Sequence, residues 1–426
     1  ITRSVVGDPD LKRNYFSAVQ DLPAGADENI LEFQNPDQII ENNFLVSLIN
    51  GSIEAQPDMF FFNFGGYSGK FVITRSKVLV YYEFSGMTII PEFDNVTDNI
   101  IRFTAYDPEG RKYVFDRVEY TIYHNPNEGS TEPRATDAFL YQFNSSWYLS
   151  EVESPGGEEK LIFDYHTLSG PYTAPVNIHL NEYRVKSGDQ FDTEHCGSPQ
   201  VSLVTQTPPQ MQIYDRRLLK SIRLESPEAG VREELSFAIQ STGGLYPDFK
   251  LVDITLKKRW QETPLMTVSR TTLGYDNSTG RLTLKSVLEE GIDPNGQALA
   301  KPPYSLTYDA GQLPPIGSGN IDHWGYNNAC GSSLIPAALD CNSGQDFVGQ
   351  GGANRESNED AMKEGTLTGI TYPTGGRTQW EWEANRVHGR PCVGASPVVG
   401  GVRIKTITDY TGGSQIAQRR TYRYVT

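Results

Sequence analysis

The sequence predicts an all-β protein: a train of antiparallel β-hairpins that pair into an extended, curved sheet or ribbon. Three observations carry that expectation. Apolar–polar alternation recurs along the chain, most clearly where Thr378, Trp380 and Trp382 alternate with Gln379, Glu381 and Glu383, the period of a strand with one dry and one wet face. Turn chemistry stands between such stretches, as in Tyr372-Pro373-Thr374-Gly375-Gly376, where Pro sets φ for the first corner and Gly supplies positive φ. The composition agrees: 40 Gly, 26 Pro and 23 Tyr, with many Thr and Val and few long amphipathic runs.

Taken in order, residues 1–57 mix acidic and apolar side chains without a period and form an N-terminal segment of unclear fold. Residues 58–135 read as an N-terminal β domain. Phe60, Phe62 and Phe64 alternate with Phe61 and Asn63, then Gly65-Gly66-Tyr67-Ser68-Gly69 turns the chain into Lys70-Phe71-Val72-Ile73. That glycine-rich tip is read as a turn and not as a phosphate cradle, because no helix follows to supply a dipole. A second hairpin runs from Ile101 to Phe115 around Asp107-Pro108-Glu109-Gly110.

Residues 136–310 carry further hairpins: Leu149 to Tyr165 around Pro155-Gly156-Gly157, Leu219 to Phe237, Leu251 to Tyr275 and Leu284 to Tyr308. They are interrupted by a long insertion at 169–212 that is rich in Pro, Gly and Ser and contains Cys196. Residues 311–426 add Leu367 to Trp382 and Ile404 to Tyr424, and the alternation runs to the last residue, as in a strand cut short and a fragment of a longer protein. The units start roughly thirty residues apart where no insertion intervenes, with an irregular period. One hairpin cannot bury its face alone, so such a train must stack or pair edge to edge. A single short helix is expected at Glu356 to Gly365, closed by Gly365 at the C′ position.

Charge and length bound the function. With 426 residues the chain has room for two or three domains and a full core. Lys plus Arg number 37 against 53 Asp plus Glu, and the formal charge of −16 argues against a nucleic-acid or anionic-membrane partner, since phosphates would be repelled. No stretch approaches the ~20 apolar residues of a membrane helix. No basic-then-apolar leader follows Ile1, so a signal peptide is expected to be removed already or to lie outside this sequence.

The residues that suggest chemistry have plainer readings beside them. Glu381 and Glu383 lie two apart on a strand, about 7 Å by strand rise, within reach of a glycosidase acid pair. Their alternation with tryptophans favours a wet face instead. Asp322-His323 could orient an imidazole for base work, yet no nucleophile motif accompanies it, which favours a histidine in a turn. Asp340-x-Asn342-x-Gly344-x-Asp346 begins like a calcium loop, but Gly351 stands where the closing Glu belongs. Four cysteines are too few for a disulfide scaffold, and none is in a C-x-x-C pair. Cys330 and Cys341 share a Gly/Ser/Asn-rich loop, where a bridge would suit an oxidising compartment; four free thiols are the alternative. No residue is assigned to catalysis, a cofactor or a metal.

A family resemblance rests on motif order. Asp322-His323-Trp324-Gly325-Tyr326, Leu334-Ile335-Pro336, Ala353-Asn354-Arg355-Glu356, Tyr372-Pro373-Thr374-Gly375-Gly376 and Gly400-Gly401-Val402-Arg403-Ile404, with Phe60 to Phe71 upstream, resemble the region ahead of, or opening, the repeat core in RHS/YD-repeat proteins of Bacteroidetes. The resemblance implies a β ribbon that spirals into a hollow shell around a C-terminal toxin or other effector, in a secreted or outer-membrane-surface protein. It implies no cofactor. Its implied partners are the remaining repeats and the effector of the same polypeptide, with secretion machinery (type IX) or cell-surface proteins. Tandem Tyr-Asp repeats are sparse here, and neither a self-cleaving core nor a toxin domain is present. The rival readings are a carbohydrate-binding or adhesive module, which needs exposed rows at Trp380/Trp382 or Tyr81/Tyr82, and a glycan-degrading enzyme using the glutamate pair.

Overall fold

The computed structural model describes residues 1–4, 58–74, 76–83, 86–97, 99–124, 141–173, 181–187, 200–206, 210–243, 248–260, 263–277, 281–331, 354–387 and 398–424. Of these, 62% lie in strands and 2% in helix, so the all-β expectation holds. All described strand pairings are antiparallel, the arrangement that short turns permit. They fall into two compact units that interleave in sequence, one of Ile1–Asn177, Pro209–Ser236 and Lys257–Leu265, the other of Ile178–Pro208, Phe237–Leu256 and Met266–Thr426.

The first unit opens with β1 (Thr2–Ser4), β2 (Met59–Phe64), β3 (Tyr67–Ile73), β4 (Leu79–Tyr81), β5 (Thr88–Phe93) and β6 (Ile100–Tyr106). The long strands β7 (Lys112–His124), β8 (Tyr141–Glu153) and β9 (Lys160–Leu168) follow, then β10 (Tyr172–Thr173). The β2–β3 tip is the two-residue turn Gly65-Gly66, with φ +61° and +87°, and Phe64 faces Tyr67 across it. Two successive positive φ values match strand twist, and only small residues take them without strain. The alternation of the sequence decides the core: Phe60 and Phe62 are buried while Phe61 is 40% exposed. Phe60 stacks on Phe71 at 5.2 Å, and Phe103 meets Trp147 edge-on at 5.0 Å. Burying an indole leaves its N–H in need of a partner, and Trp147 Nε1 donates to the Ile100 carbonyl at 2.9 Å.

The insertion at 169–212 contributes one described ribbon to the second unit, β11 (Asn181–Ser187) paired with β12 (Gln200–Gln206). After it the chain returns to the first unit: β13 (Gln210–Tyr214) pairs with β7, and β14 (Arg216–Ser226) pairs with β9. Then come β15 (Gly230–Ser241) and β16 (Phe249–Lys258). The second unit continues through β17 (Met266–Asp276), β18 (Thr283–Ile292), β19 (Ala298–Ala300) and β20 (Tyr304–Tyr308). It closes with helix α1 (Glu359–Lys363), β21 (Leu367–Thr371), β22 (Arg377–Arg386), β23 (Val398–Tyr410) and β24 (Ile416–Thr421). Helix α1 forms where expected: Asn358 caps it by accepting from the Asp360 and Ala361 amides, and Gly365 takes φ +72° just past its end. Among the described residues no helix is long and apolar enough to cross a membrane.

Two local devices recur. The first is a joint in which residue i accepts from the amide of i+3 and donates to the carbonyl of i+4, with Pro at i+1 and a positive-φ Gly at i+3. It occurs at Asp107–Arg111, Asp293–Gln297 and Tyr372–Gly376, with Gly110, Gly296 and Gly375 at φ +85°, +82° and +84°. This is the three-residue hairpin loop in which a type I turn is followed by a left-handed residue. At Tyr372–Gly376 the positive φ falls on Gly375 and not on Gly376, which needs its missing side chain because a Cβ there would stand 3.2 Å from the Tyr410 carbonyl.

The second device is a latch. In five of the hairpin units read from the sequence, the closing aromatic donates to the carbonyl of the unit's opening residue. Tyr165 Oη reaches Leu149 O at 2.6 Å, Tyr275 reaches Leu251 and Tyr308 reaches Leu284 at 2.8 Å, Tyr424 reaches Ile404 at 2.6 Å, and Trp382 Nε1 reaches Leu367 at 2.8 Å. Two further units close on Phe115 and Phe237, whose rings carry no donor. A cation beside the opening residue covers the ring in three units: Lys250 over Tyr275, Lys285 over Tyr308 and Arg403 over Tyr424.

Candidate functional site

The most constrained part of the second unit is the turn Asp322–Tyr326. Asp322 is fully buried, and its carboxylate organises the turn. Oδ1 accepts from the Trp324 and Tyr326 amides, both at 2.9 Å, and Oδ2 accepts from Ser357 Oγ at 2.6 Å. The backbone closes the same loop, with Asp322 N donating to Tyr326 O at 2.8 Å and Gly325 at φ +90°. An aspartate that bonds amides two and four residues on is what this short side chain does best at a turn. A buried carboxylate is tolerated because its oxygens are occupied.

Neighbouring segments lock onto this turn. Arg355 donates to the Asp322 carbonyl, and the His323 amide donates to Arg355 O at 3.2 Å. Asn328, also fully buried, bonds Asn354 O at 2.9 Å and Glu356 O at 3.3 Å, while its Oδ1 accepts from the Cys330 amide at 3.0 Å. Asn327 Nδ2 reaches Ala361 O at 3.1 Å and Glu364 at 2.9 Å, tying the turn to the end of α1. From the other side Gly400 and Gly401 admit the rings. A Cβ on Gly400 would lie 2.6 Å from Trp324 Cβ and 2.9 Å from Tyr326 Cδ2, and Gly401 takes φ +95° under the Tyr326 hydroxyl. Three of the motifs that carry the family resemblance, Asp322–Tyr326, Asn354–Glu356 and Gly400-Gly401, are thus one packed assembly.

Although its backbone is pinned, the turn faces solvent. His323 and Gly325 are exposed, Trp324 is 56% exposed and Tyr326 46%. The His323 ring stands edge-on to Trp324 at 6.0 Å. The arrangement offers a fixed, solvent-facing indole and phenol on a rigid base.

The remaining sequence candidates sort as follows. Tyr372, Pro373, Thr374, Gly375 and Gly376 form the β21–β22 joint, where Tyr372 Oη and Thr378 Oγ1 are 3.2 Å apart and Thr378 bonds Asp409 at 2.7 Å. Glu383 pairs with Arg403 at 2.8 Å, both partly buried, while Glu381 is exposed. Trp380 and Trp382 are half-buried, and Trp382 spends its N–H on the latch to Leu367. Tyr82 is exposed under the Lys70 ammonium, whereas Tyr81 is half-buried and accepts from the Ile89 amide. Cys330 is a half-buried free thiol; Cys341, Cys196, Cys392 and the Asp340–Asp346 stretch lie outside the described residues. Among the described residues no group of three or more His, Cys, Asp or Glu could hold a metal ion.

The turn is legible in the sequence, whereas its supports are not. Ser357 and Asn328 are ordinary polar residues of loops, and nothing in one sequence says that they meet Asp322. The signal that was available is the spacing of Asp322 and Gly325, the first and last positions of a type I turn.

No family model matches the chain, and no curated protein matches it. Solved structures do. The N-terminal domain of the effector protein SpvB from Salmonella typhimurium is 10% identical, with a TM-score of 0.30, covering 56% of this chain and 75% of that one. TcdB2-TccC3 is 12% identical with a TM-score of 0.35; the match covers 87% of this chain and only 16% of that one. A porin-like protein from Bacteroides uniformis is 9% identical with a TM-score of 0.21, covering 79% and 94%.

Proposed function

We propose that the chain is a structural, β-rich section of a larger secreted or cell-surface protein of the RHS/YD type, a piece of scaffold that carries or displays an effector encoded further along the same polypeptide. The observation that carries this reading is the latch. The opening carbonyl and the closing aromatic are joined in five units along the chain. A catalytic residue is needed once, whereas a fastening is needed in every unit. The recurring Pro-x-Gly joint supports the same reading, as does the packing of three resemblance motifs into one assembly. Glu383, one of the two glutamates on which the rival glycan-degrading reading rests, is engaged by Arg403.

The test is electron microscopy of the protein made from the complete reading frame, combined with protease treatment. A hollow β shell that shields the C-terminal segment until the shell is opened supports the scaffold. A fully accessible C-terminal segment, or a polysaccharide-cleaving activity abolished by Glu381→Gln, would replace it with one of the rivals.

A further inference from the structure

We propose that the Asp322–Tyr326 turn is a carbohydrate-binding site, with the Trp324 indole as the stacking platform for a β-linked, gluco-configured oligosaccharide. The first argument is preorganisation. Exposed tryptophan side chains ordinarily forfeit the stabilisation of burial. Here a fully buried carboxylate and a buried serine hydroxyl hold the backbone of the turn, and the side-chain-free Gly400 lies against the base of the Trp324 side chain, while the indole remains 56% exposed. Rigid aromatic side chains bind well because little conformational freedom is lost on contact.

The second argument is the fit of the ligand. An all-equatorial pyranose presents a flat C–H face about the size of one indole, and its hydroxyls lie at the rim. Beside the indole stands the His323 ring, at 6.0 Å, and the same turn presents the Tyr326 ring, 46% exposed, over Gly400-Gly401. Imidazole is a hydrogen-bonding group that suits rim hydroxyls. A folded protein partner fits less well, since a stable interface needs roughly 800 Å² on each side and this platform is one turn. Phosphate-bearing ligands are disfavoured by the formal charge of −16.

The proposal differs from the aromatic rows considered in the sequence: Trp380 and Trp382 are half-buried in β22, whereas Trp324 projects from a pinned turn. It does not depend on the scaffold reading, because a shell section and a free-standing module could both carry it.

The experiment is calorimetric titration of the folded chain with cellohexaose, with maltohexaose as the axially linked control and a tryptophan-containing peptide as the competing ligand class. Saturable cellohexaose binding, stronger than maltohexaose binding and weakened about tenfold or more by Trp324→Ala, is the expected result. Trp260→Ala, which removes a 77% exposed indole in the first unit, should leave it unchanged. Should Trp324→Ala misfold, Trp324→Phe keeps a smaller ring and is expected to weaken binding severalfold with an unchanged melt. Absent cellohexaose binding, equal affinity in the Trp324 variants, or binding of the peptide alone overturns the proposal.

Discussion

The hydroxyl of Tyr308 donates to the carbonyl of Leu284, 2.8 Å away, so the last residue of β20 is fastened to an early residue of β18 across 24 positions of sequence. Lys285, next to Leu284, holds its ammonium 5.2 Å from the centre of the same ring. Burial pushes the Tyr308 phenol above its ordinary pKa, which keeps it protonated and able to donate. The bond sets the register of a hairpin whose alternation alone would allow a slip.

Removing that hydroxyl should therefore be measurable. Tyr308→Phe keeps the ring and its cation and loses one hydrogen bond, so chemical denaturation should show a loss of about 1 kcal/mol. Tyr308→Ala also removes the ring, and its loss should be clearly larger, on the order of 2–4 kcal/mol. Equal stability of the Phe variant and the parent would mean that the latch is only a by-product of packing.

The Tyr372–Gly376 joint makes a sharper comparison, because its two glycines are needed for different reasons. Gly375 sits at φ +84° in an exposed position, where a β-branched side chain is strained by its own backbone. Gly376 has ordinary φ and is limited by the Tyr410 carbonyl. Gly375→Val is expected to lose about 1–3 kcal/mol, and Gly376→Ala less, as the strand shifts by tenths of an ångström. Glu381→Gln, on the exposed side of β22, should leave the melt unchanged. Thermal melts in which Gly376→Ala loses more stability than Gly375→Val would refute this division of labour.

Much of this architecture was legible because it is local. Alternation locates the hairpin units, Pro-Thr-Gly-Gly and Asp-Pro-Glu-Gly mark their joints, and Gly365 ends helix α1 where the sequence predicts an end. What alternation does not encode is which strand lies beside which. The pairing of β13 with β7 across the insertion, with Gln212 opposite Ile122, is a long-range choice made by side-chain packing. The latch is half visible in the sequence: the opening aliphatic residues and closing aromatics mark the ends of units, but their bond depends on register. At the last joint two adjacent glycines give the sequence no way to say which takes positive φ; in the fold it is Gly375.

Asp322 tests how far the aromatic turn depends on its buried anchor. Asp322→Ala leaves the Trp324 and Tyr326 amides and the Ser357 hydroxyl without their acceptor. A buried network that loses its centre should destabilise the protein by roughly 3 kcal/mol or more. The Trp324 indole should gain freedom at the same time, visible as lower fluorescence anisotropy in a variant that keeps Trp324 as its sole tryptophan. Unchanged anisotropy would show that Gly400-Gly401 packing holds the ring by itself.

The last prediction concerns pH and the first unit. Glu119 on β7 is buried, and burial raises its carboxyl pKa above the ordinary value, opposed by the Tyr148 hydroxyl that donates to it at 3.0 Å. A carboxyl with a raised folded-state pKa binds its proton more tightly in the native chain than in the unfolded one. Its contribution is therefore fully present below the unfolded carboxylate pKa and is lost as pH rises through the folded value. At neutral pH the native state carries the burden of a desolvated charge. Glu119→Gln removes that charge and keeps an acceptor for Tyr148, so it should stabilise the protein at pH 7. The gain over the parent should shrink as pH falls below the folded-state pKa, because the parent's carboxyl is then neutral as well. Denaturation of both proteins across acid and neutral pH decides the matter: a Gln variant less stable than the parent at pH 7 would mean that the ionised Glu119, with Tyr148 and the nearby Arg216 charge, is worth more than its burial costs.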